Sequence, residues 1–159
     1  MNKMIFLVSF LLLPLVNGNA FCGADFDRIR TLAGEWEAAG PEEKIRVTFQ
    51  LISDGTALME TMKAGTENMV TVYHPDGESI LMTHYCSGGN QPRMRARKSG
   101  GAGSITFQFV DVSNLKGSGD GHMRRLVIKF QDADNVIEEW TWKEKGQENT
   151  STFHLRRVK

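Results

Sequence analysis

The chain has 159 residues, of which 40% are hydrophobic and 24% are charged, and its 19 basic and 19 acidic side chains leave no formal net charge. This length suits a single domain with a substantial core. Nucleic acid is not expected as a partner, because phosphate binding needs a surplus of Lys and Arg.

Residues 1–20 have the features of a cleaved secretory signal peptide. Lys3 supplies the positive charge, an apolar run extends from Ile5 to Val16, and Gly18-Asn19-Ala20 is typical of a cleavage site. The run is too short for a transmembrane helix, which needs about 20 apolar residues. We therefore predict an exported protein, periplasmic or extracellular, without stable membrane insertion, whose single domain comprises residues 21–159.

One short helix is predicted after the signal segment, from Asp25 to Leu32. Asp25 is a suitable N-cap, and Phe26, Ile29 and Leu32 share one side at helical spacing. A helix this short, apolar on one side, is expected to lie as a lid or plug against a larger structure.

From Gly34 onward, short segments with period-two alternation are separated by turn signals, of which Asp54-Gly55 and Pro75-Asp76-Gly77 are the clearest. Ten strands are predicted, at Gly34–Ala39, Lys44–Ser53, Ala57–Lys63, Asn68–His74, Ser79–Cys86, Arg93–Ser99, Ser104–Val110, Met123–Gln131, Val136–Lys143 and Ser151–Val158. Short connections imply antiparallel pairing of successive strands. Closure into an all-β, up-and-down barrel removes exposed sheet edges; a two-sheet sandwich is the alternative.

The alternation also predicts which side chains face the core. The inward rows are Ile45, Val47, Phe49 and Leu51; Ile105, Phe107 and Phe109; Leu126, Ile128 and Phe130; and Phe153 with Leu155.

The segment Leu32-Ala33-Gly34-Glu35-Trp36, a Gly-x-Trp at the start of the first strand, resembles the beginning of the lipocalin and fatty-acid-binding superfamily. The rest of the domain resembles an uncharacterised family of exported bacterial lipocalin-like barrels, through Tyr73–Gly77, Thr83–Met94 and Phe130–Asp134 followed by Trp140. The resemblance implies a barrel fold and carries no established activity.

The densest group of chemically useful side chains lies between Thr83 and Arg93. Its candidate ligand-binding residues are His84, Tyr85, Asn90, Gln91 and Arg93. In the preceding strand, His84 and Cys86 share one face and Tyr85 takes the other, and the sequence leaves open which face is inward. Arg93 follows a proline, so we expect that it can turn into the barrel mouth and bind a carboxylate bidentately.

Two carboxylates occupy faces that otherwise look internal. Glu60 alternates with Leu58 and Met62, and Glu138 alternates with Val136, Trp140 and Trp142. Because an unpaired buried carboxylate is costly, we expect a polar cluster in which Glu60 or Glu138 meets a cationic or imidazole group: Arg93, His84 or Arg157. A buried ion-pair network without a ligand is the alternative.

These features together predict binding of a small molecule with a polar or anionic head. The aromatic residues that would hold its apolar body are Phe107, Phe109, Trp140 and Trp142.

Other readings stay open. The cysteines Cys22 and Cys86 form a disulfide in the simplest interpretation for an exported protein, and a free Cys86 in the site is the alternative. No cofactor is predicted, although haem or a metal bound through His84 or His122 is a second hypothesis. Catalysis by a Cys86 thiolate activated by His84 is a third.

Overall fold

The computed structural model describes residues 20–39, 44–97, 103–117 and 119–159, without the side chains of residues 20–22, 39 and 44. These ranges contain one α-helix, α1 (Ala20–Arg30), a short 3-10 turn at Ser53–Gly55, and ten strands. The strands are β1 (Gly34–Ala39), β2 (Lys44–Ile52), β3 (Ala57–Ala64), β4 (Glu67–Asp76), β5 (Ser79–Tyr85), β6 (Gln91–Arg97), β7 (Ser104–Ser113), β8 (His122–Phe130), β9 (Asn135–Glu144) and β10 (Gln147–Arg157).

Each strand pairs antiparallel with the next, and β1 also pairs with β10, so the sheet closes into a barrel. The predicted up-and-down barrel is therefore confirmed and the sandwich alternative is wrong. All ten predicted strands are present. The largest difference is at β10, which begins at Gln147 rather than Ser151 because Gln147 already pairs with Glu144 across a tight turn.

The predicted inward rows form most of the core. Val47, Phe107, Leu126 and Ile128 are fully buried, and Phe130 and Phe153 pack against the buried cluster. There are two exceptions: Leu51, with 37% of its surface exposed near the end of β2, and the half-buried Phe109 of β7, which lies outside the core cluster.

Helix α1 plugs one end of the barrel, as predicted. Phe26, Ile29 and Leu32 are buried in the core, and the Arg28 guanidinium lies 4.3 Å from the centre of the Phe130 ring. The predicted N-cap at Asp25 is wrong, because the helix already begins at Ala20 and Asp25 lies within it. Among the described residues, no helix has the length and apolar character needed to cross a membrane.

The Gly-x-Trp motif lies at the end of the barrel that α1 plugs, which we call the closed end. Trp36 is buried, donates its indole N–H to Leu32 O at 2.7 Å, and has the Arg157 guanidinium 4.2 Å from its ring centre. Gly34 has φ of 133°, and a Cβ there would lie 2.8 Å from Arg157 Nη1. A side chain at position 34 would therefore collide with the arginine that covers Trp36.

Candidate functional site

The end of the barrel opposite α1, which we call the mouth, contains a small apolar cavity. Its volume is about 30 Å³. This is enough for a water molecule, which needs about 10–15 Å³. The cavity is lined by Glu60, Met62, Met69, His84, Met123, Trp140 and Phe153. Six strands supply these residues, so the cavity exists only because the barrel closes.

The phase of β5 places His84 inside. Ile80, Met82 and His84 are all buried, with 3% of His84 exposed, whereas Tyr85 on the other face is half exposed. The His84 ring lies 4.8 Å from the Trp140 ring, centre to centre. The sequence left the phase of this strand open, and the structure resolves it in favour of an inward imidazole.

Two hydrogen bonds join polar groups behind the cavity. Tyr73 Oη donates to Glu60 Oε2 at 2.6 Å, and Thr71 Oγ1 lies 3.0 Å from His84 Nδ1. Thr71 sits opposite both Glu60 and His84 in the strand register.

We assign the imidazole proton of His84 to Nδ1, where the Thr71 oxygen can accept it, because the other tautomer would leave a buried N–H donor at Nε2 without a partner among the described residues. Burial lowers the pKa of His84 to about 4, which keeps the ring neutral near pH 7. Nε2 then carries a lone pair, and it has no hydrogen-bond partner among the described residues.

The second carboxyl, Glu138, is fully buried beside the same group. Its Oε2 accepts the Trp140 indole N–H at 3.0 Å, while Oε1 has no partner in the part of the chain that the structure describes. Burial raises the pKa of Glu138 to about 7. Burial also raises the pKa of Glu60 well above its ordinary value, and the neighbouring Glu138 raises it further. The interior thus holds two carboxyls that resist losing their protons.

The turn after β5 packs against the loop before β8. Asn90 is buried and donates Nδ2–H to Gly121 O at 2.8 Å. The Trp142 indole covers Gly121, where an added Cβ would lie only 2.0 Å from Trp142 Cζ2, and it approaches Gly88 as well. Asn90 therefore helps to hold the mouth together, and its side chain is outside the cavity wall.

Three further predicted ligand-binding residues, in addition to Asn90, lie away from the cavity. Tyr85 points outward. Gln91 hydrogen-bonds the end of the neighbouring strand β7, accepting from Ser113 Oγ at 3.0 Å. Arg93 pairs with Asp111 through two hydrogen bonds, with about half of each side chain exposed.

The prediction that the Arg93 side chain turns into the barrel mouth is therefore wrong. Met94, its neighbour in the strand, takes the fully buried place, so alternation sends Arg93 outward. The expected contact of Arg157 with the internal carboxyls is also wrong. Arg157 donates to Thr31 O and Ala33 O, both at 2.8 Å, at the closed end.

Cys86 is half-buried at the rim, where its Sγ accepts the Gly88 N–H at 3.4 Å. Cys22 has a side chain outside the described residues, so the predicted disulfide stays a prediction. His84 uses Nδ1 for Thr71 and its Nε2 has no partner among the described residues. The structure therefore shows no imidazole–thiol hydrogen bond of the kind that would activate Cys86.

The other candidate metal ligand, His122, is separate from the cavity. Its ring lies 5.1 Å from that of Phe109, and its Nδ1 is 3.1 Å from Asp120 O. Within the described residues, no group of three or more His, Cys, Asp or Glu side chains is arranged to hold a metal ion.

A larger groove of about 500 Å³ lies at the closed end, beside the chain terminus. Its charged side chains pair with one another: Arg156 with Glu37 at 2.9 Å, and Lys159 with Asp134 at 3.3 Å. Because these charges are compensated, the smaller cavity, whose wall includes the His84 Nε2 that has no partner among the described residues, is the better candidate site.

Sequence reasoning missed several residues of the site. Thr71 and Tyr73 fix His84 and Glu60, yet in sequence they are ordinary strand residues. Met62, Met69 and Met123 look like routine core residues. Their common position becomes visible only through the strand register, which brings Met62 opposite Met69.

Comparison with known proteins adds no relative: neither a protein-family model nor a curated protein sequence matches the chain. The closed ten-stranded barrel is compatible with a lipocalin-like fold.

Proposed function

We propose that this protein binds a small, partly apolar molecule in the mouth cavity, with the polar head of the ligand at His84. The observation that carries this proposal is the His84 imidazole, 97% buried in an apolar cavity wall yet without a partner at Nε2 among the described residues. A buried polar atom left unpaired costs about 1–3 kcal/mol. A ligand that hydrogen-bonds Nε2 would offset that cost.

The apolar part of the wall supports the same proposal. Met62, Met69 and Met123 surround the cavity together with Phe153. Methionine is unbranched and flexible, so a methionine-lined wall adapts to ligands of different shape. The cavity has room for little more than the polar head of a ligand. We therefore expect the methionine side chains to move apart around the apolar body of the ligand.

Fluorescence titration with the apolar probe N-phenyl-1-naphthylamine tests this function. We expect saturable one-to-one binding that is lost in Met69→Trp, because an indole at this half-buried rim position fills the entrance. The control is His74→Gln, a half-buried histidine outside the cavity wall that hydrogen-bonds the Pro75 carbonyl, and it should bind the probe normally. Probe binding that is non-saturable, or unchanged in Met69→Trp with intact near-ultraviolet circular dichroism, would contradict the proposal.

Haem is the weaker candidate. A neutral imidazole with a free Nε2 is a suitable iron ligand, but a cavity of about 30 Å³ is far below the roughly 300–1,000 Å³ of typical ligand pockets. The residues present do not fit the macrocycle in this conformation. A Soret band on haemin titration that disappears in His84→Gln would reverse this preference.

We also propose that the protein is exported after removal of residues 1–20 and that it belongs with the lipocalin-like exported barrels that its motifs resemble. The support is the N-terminal segment, which has the charge, apolar run and small residues of a signal peptide. N-terminal sequencing of the protein recovered from its host should begin at Phe21. An intact Met1 on the mature protein would contradict export by cleavage.

A further inference from the structure

We infer that the head group accepted by the mouth cavity is a protonated amine carried on an apolar body. This inference rests on the proposed function and makes the ligand class specific. It also replaces the anionic head expected from the sequence.

The first step concerns charge. Glu60 lies in the cavity wall and Glu138 is close enough to influence its ionisation. Both side chains are at least 99% buried. No Lys or Arg is present among the described residues that line the cavity. The arginines that were expected to compensate these carboxyls lie elsewhere, Arg93 on the outer surface and Arg157 at the closed end.

The second step concerns hydrogen bonding. His84 Nε2 carries a lone pair in the assigned tautomer, and Glu138 Oε1 is a second buried oxygen without a partner in the described part of the chain. Both open positions are acceptors when Glu138 is ionised. A complementary ligand must therefore bring protons, and an ammonium group brings three donors and no acceptor. A carboxylate ligand brings acceptors, no donors and a negative charge, so it would be repelled.

The third step concerns size. The cavity of about 30 Å³ beside the polar groups is of the order that a water molecule or an ammonium head requires. The remaining wall, Met62, Met69, Met123 and Phe153, offers apolar contact for a hydrocarbon chain that leads toward solvent. A highly polar body would not match this apolar wall.

Charge also separates an amine from an alcohol. A neutral hydroxyl can satisfy one acceptor, but it leaves the two carboxyls uncompensated, so both must stay protonated. An ammonium allows a carboxylate to form beside it, because opposite charge in a dry site favours the ionised form. Of these two ligands, only the amine supplies both hydrogen-bond donors for the unpartnered acceptors and a positive charge beside the carboxyls.

Binding is consequently linked to proton release. The titratable groups that face this region are Glu60 from β3, Tyr73 from β4, His84 from β5 and Glu138 from β9. The neighbouring strands β8 and β10 place Ile128 and Phe153 beside Glu138. An alkylamine stays protonated up to about pH 10, like a Lys side chain. Its affinity should therefore rise between about pH 6 and pH 8 as the carboxyls become easier to ionise.

Isothermal titration with hexylamine, hexanol and hexanoate, which share one carbon skeleton, tests the inference on the unaltered protein. At about pH 8 we expect hexylamine to bind at least about tenfold more tightly than hexanol, and hexanoate to bind more weakly than either. Hexanol or hexanoate binding as tightly as hexylamine overturns the amine assignment and leaves the proposed function standing. If all three compounds and the naphthylamine probe fail to bind saturably, the proposed function fails as well.

Variants then locate the effect. Glu60→Gln and Glu138→Gln should each lower hexylamine affinity about tenfold or more and leave hexanol affinity within about threefold. The matched control is Glu139→Gln, the next residue of β9, whose carboxylate faces outward to Lys129 at 2.5 Å. Equal loss of amine and alcohol binding, or loss in Glu139→Gln, overturns the assignment. If an interior variant does not fold, the comparison of the three ligands on the unaltered protein decides.

Discussion

His84 is the residue in which burial, hydrogen bonding and the proposed function meet. Its Nδ1 lies 3.0 Å from the Thr71 hydroxyl, and Thr71 is opposite Glu60, whose carboxyl accepts from Tyr73. In the assigned tautomer Nδ1–H donates to Thr71, so the neutral ring is oriented with its lone pair at Nε2. An isolated strand histidine would lack this orientation.

Burial of the His84 imidazole makes the free energy of unfolding depend on pH below neutrality. The ordinary pKa of 6.5 falls to about 4 in the folded protein, so between these values the unfolded chain binds a proton that the folded state does not. The free energy of unfolding should therefore decrease as the pH falls from about 6.5 to 4, by up to about 1.4 kcal/mol per unit. Denaturant titrations of His84→Gln should show a smaller decrease than the unaltered protein. An identical decrease in both would contradict a buried neutral His84.

Glu138 should act with the opposite sign. Its pKa rises from 4.5 to about 7 on burial, so the folded state keeps a proton that the unfolded chain has already lost. The free energy of unfolding then decreases as the pH rises through this window, by up to about 1.4 kcal/mol per unit. Glu138→Gln should remove this part of the pH dependence in urea titrations, and the outward-facing Glu139→Gln should retain it. A slope unchanged in Glu138→Gln would show that the carboxyl is ionised when folded.

Gly121 is required by the Trp142 side chain rather than by backbone conformation. A Cβ at position 121 would lie 2.0 Å from the indole, whereas a Cβ at Gly88 has no atom closer than 3.7 Å. Gly121→Ala should displace Trp142, lower the free energy of unfolding by about 1–3 kcal/mol and change the near-ultraviolet circular dichroism. Gly88→Ala, the control in the facing turn, should change neither measurement. Equal behaviour of the two variants would contradict the described packing of Trp142.

Individual residues of the site were predictable only in part. The unusual Glu60 and Glu138 on apolar faces marked the polar interior, because buried carboxylates are rare without a reason. The partner of Arg93 was not predictable, since Asp111 comes opposite it only through the β6–β7 register and its irregularity at Arg93 and Met94. The strand face of His84 was ambiguous because neither face of that segment is wholly apolar.

At the scale of elements, the closing seam between β1 and β10 is short. Its paired residues are Trp36 with Arg157 and Glu37 with Arg156, followed by the Val158 N–H bond to Glu35 O at 2.8 Å. Arg157 extends this seam by stacking on Trp36 and donating to carbonyls on both sides, including Ala133 O at 3.1 Å. One side chain thus ties α1, the β8–β9 turn and the last strand together.

Loss of that side chain should weaken the barrel markedly. Arg157→Ala removes three charged hydrogen bonds to carbonyls and the contact with Trp36. We expect the free energy of unfolding to fall by about 2–4 kcal/mol in total. Arg156→Ala, the adjacent control, removes an exposed ion pair with Glu37 and should cost at most about 1 kcal/mol. Comparable losses in the two variants would contradict the role of Arg157.

The elements themselves were largely predictable from the sequence. Period-two alternation and glycine turns located all ten strands, because each strand has one wet and one dry face. The start of α1 was not predictable, since Asp25 looked like a cap while the helix continues back to Ala20. The start of β10 at Gln147 was not predicted. Polar residues can extend a hairpin when the partner strand supplies backbone hydrogen bonds, and this leaves no alternation in the sequence.

At the scale of the whole molecule, the two ends of the barrel differ. One end is filled by α1, Trp36 and Arg157, and its charged surface groups are paired. The other end encloses the cavity, and the His84 Nε2 in the cavity wall has no partner among the described residues. Close packing and paired charges therefore characterise the first end, and an unsatisfied buried polar atom characterises the second.

The most direct test of the binding site is the nitrogen chemical shift of His84 in a long-range ¹H–¹⁵N spectrum, recorded while hexylamine is added. We predict that His84 begins as the neutral Nδ1–H tautomer and that its Nε2 signal moves saturably as the lone pair accepts a hydrogen bond. The signals of His74, which lies outside the cavity wall, should stay unchanged. A His84 that is protonated at Nε2, or whose signals do not move at saturating ligand, would contradict the account.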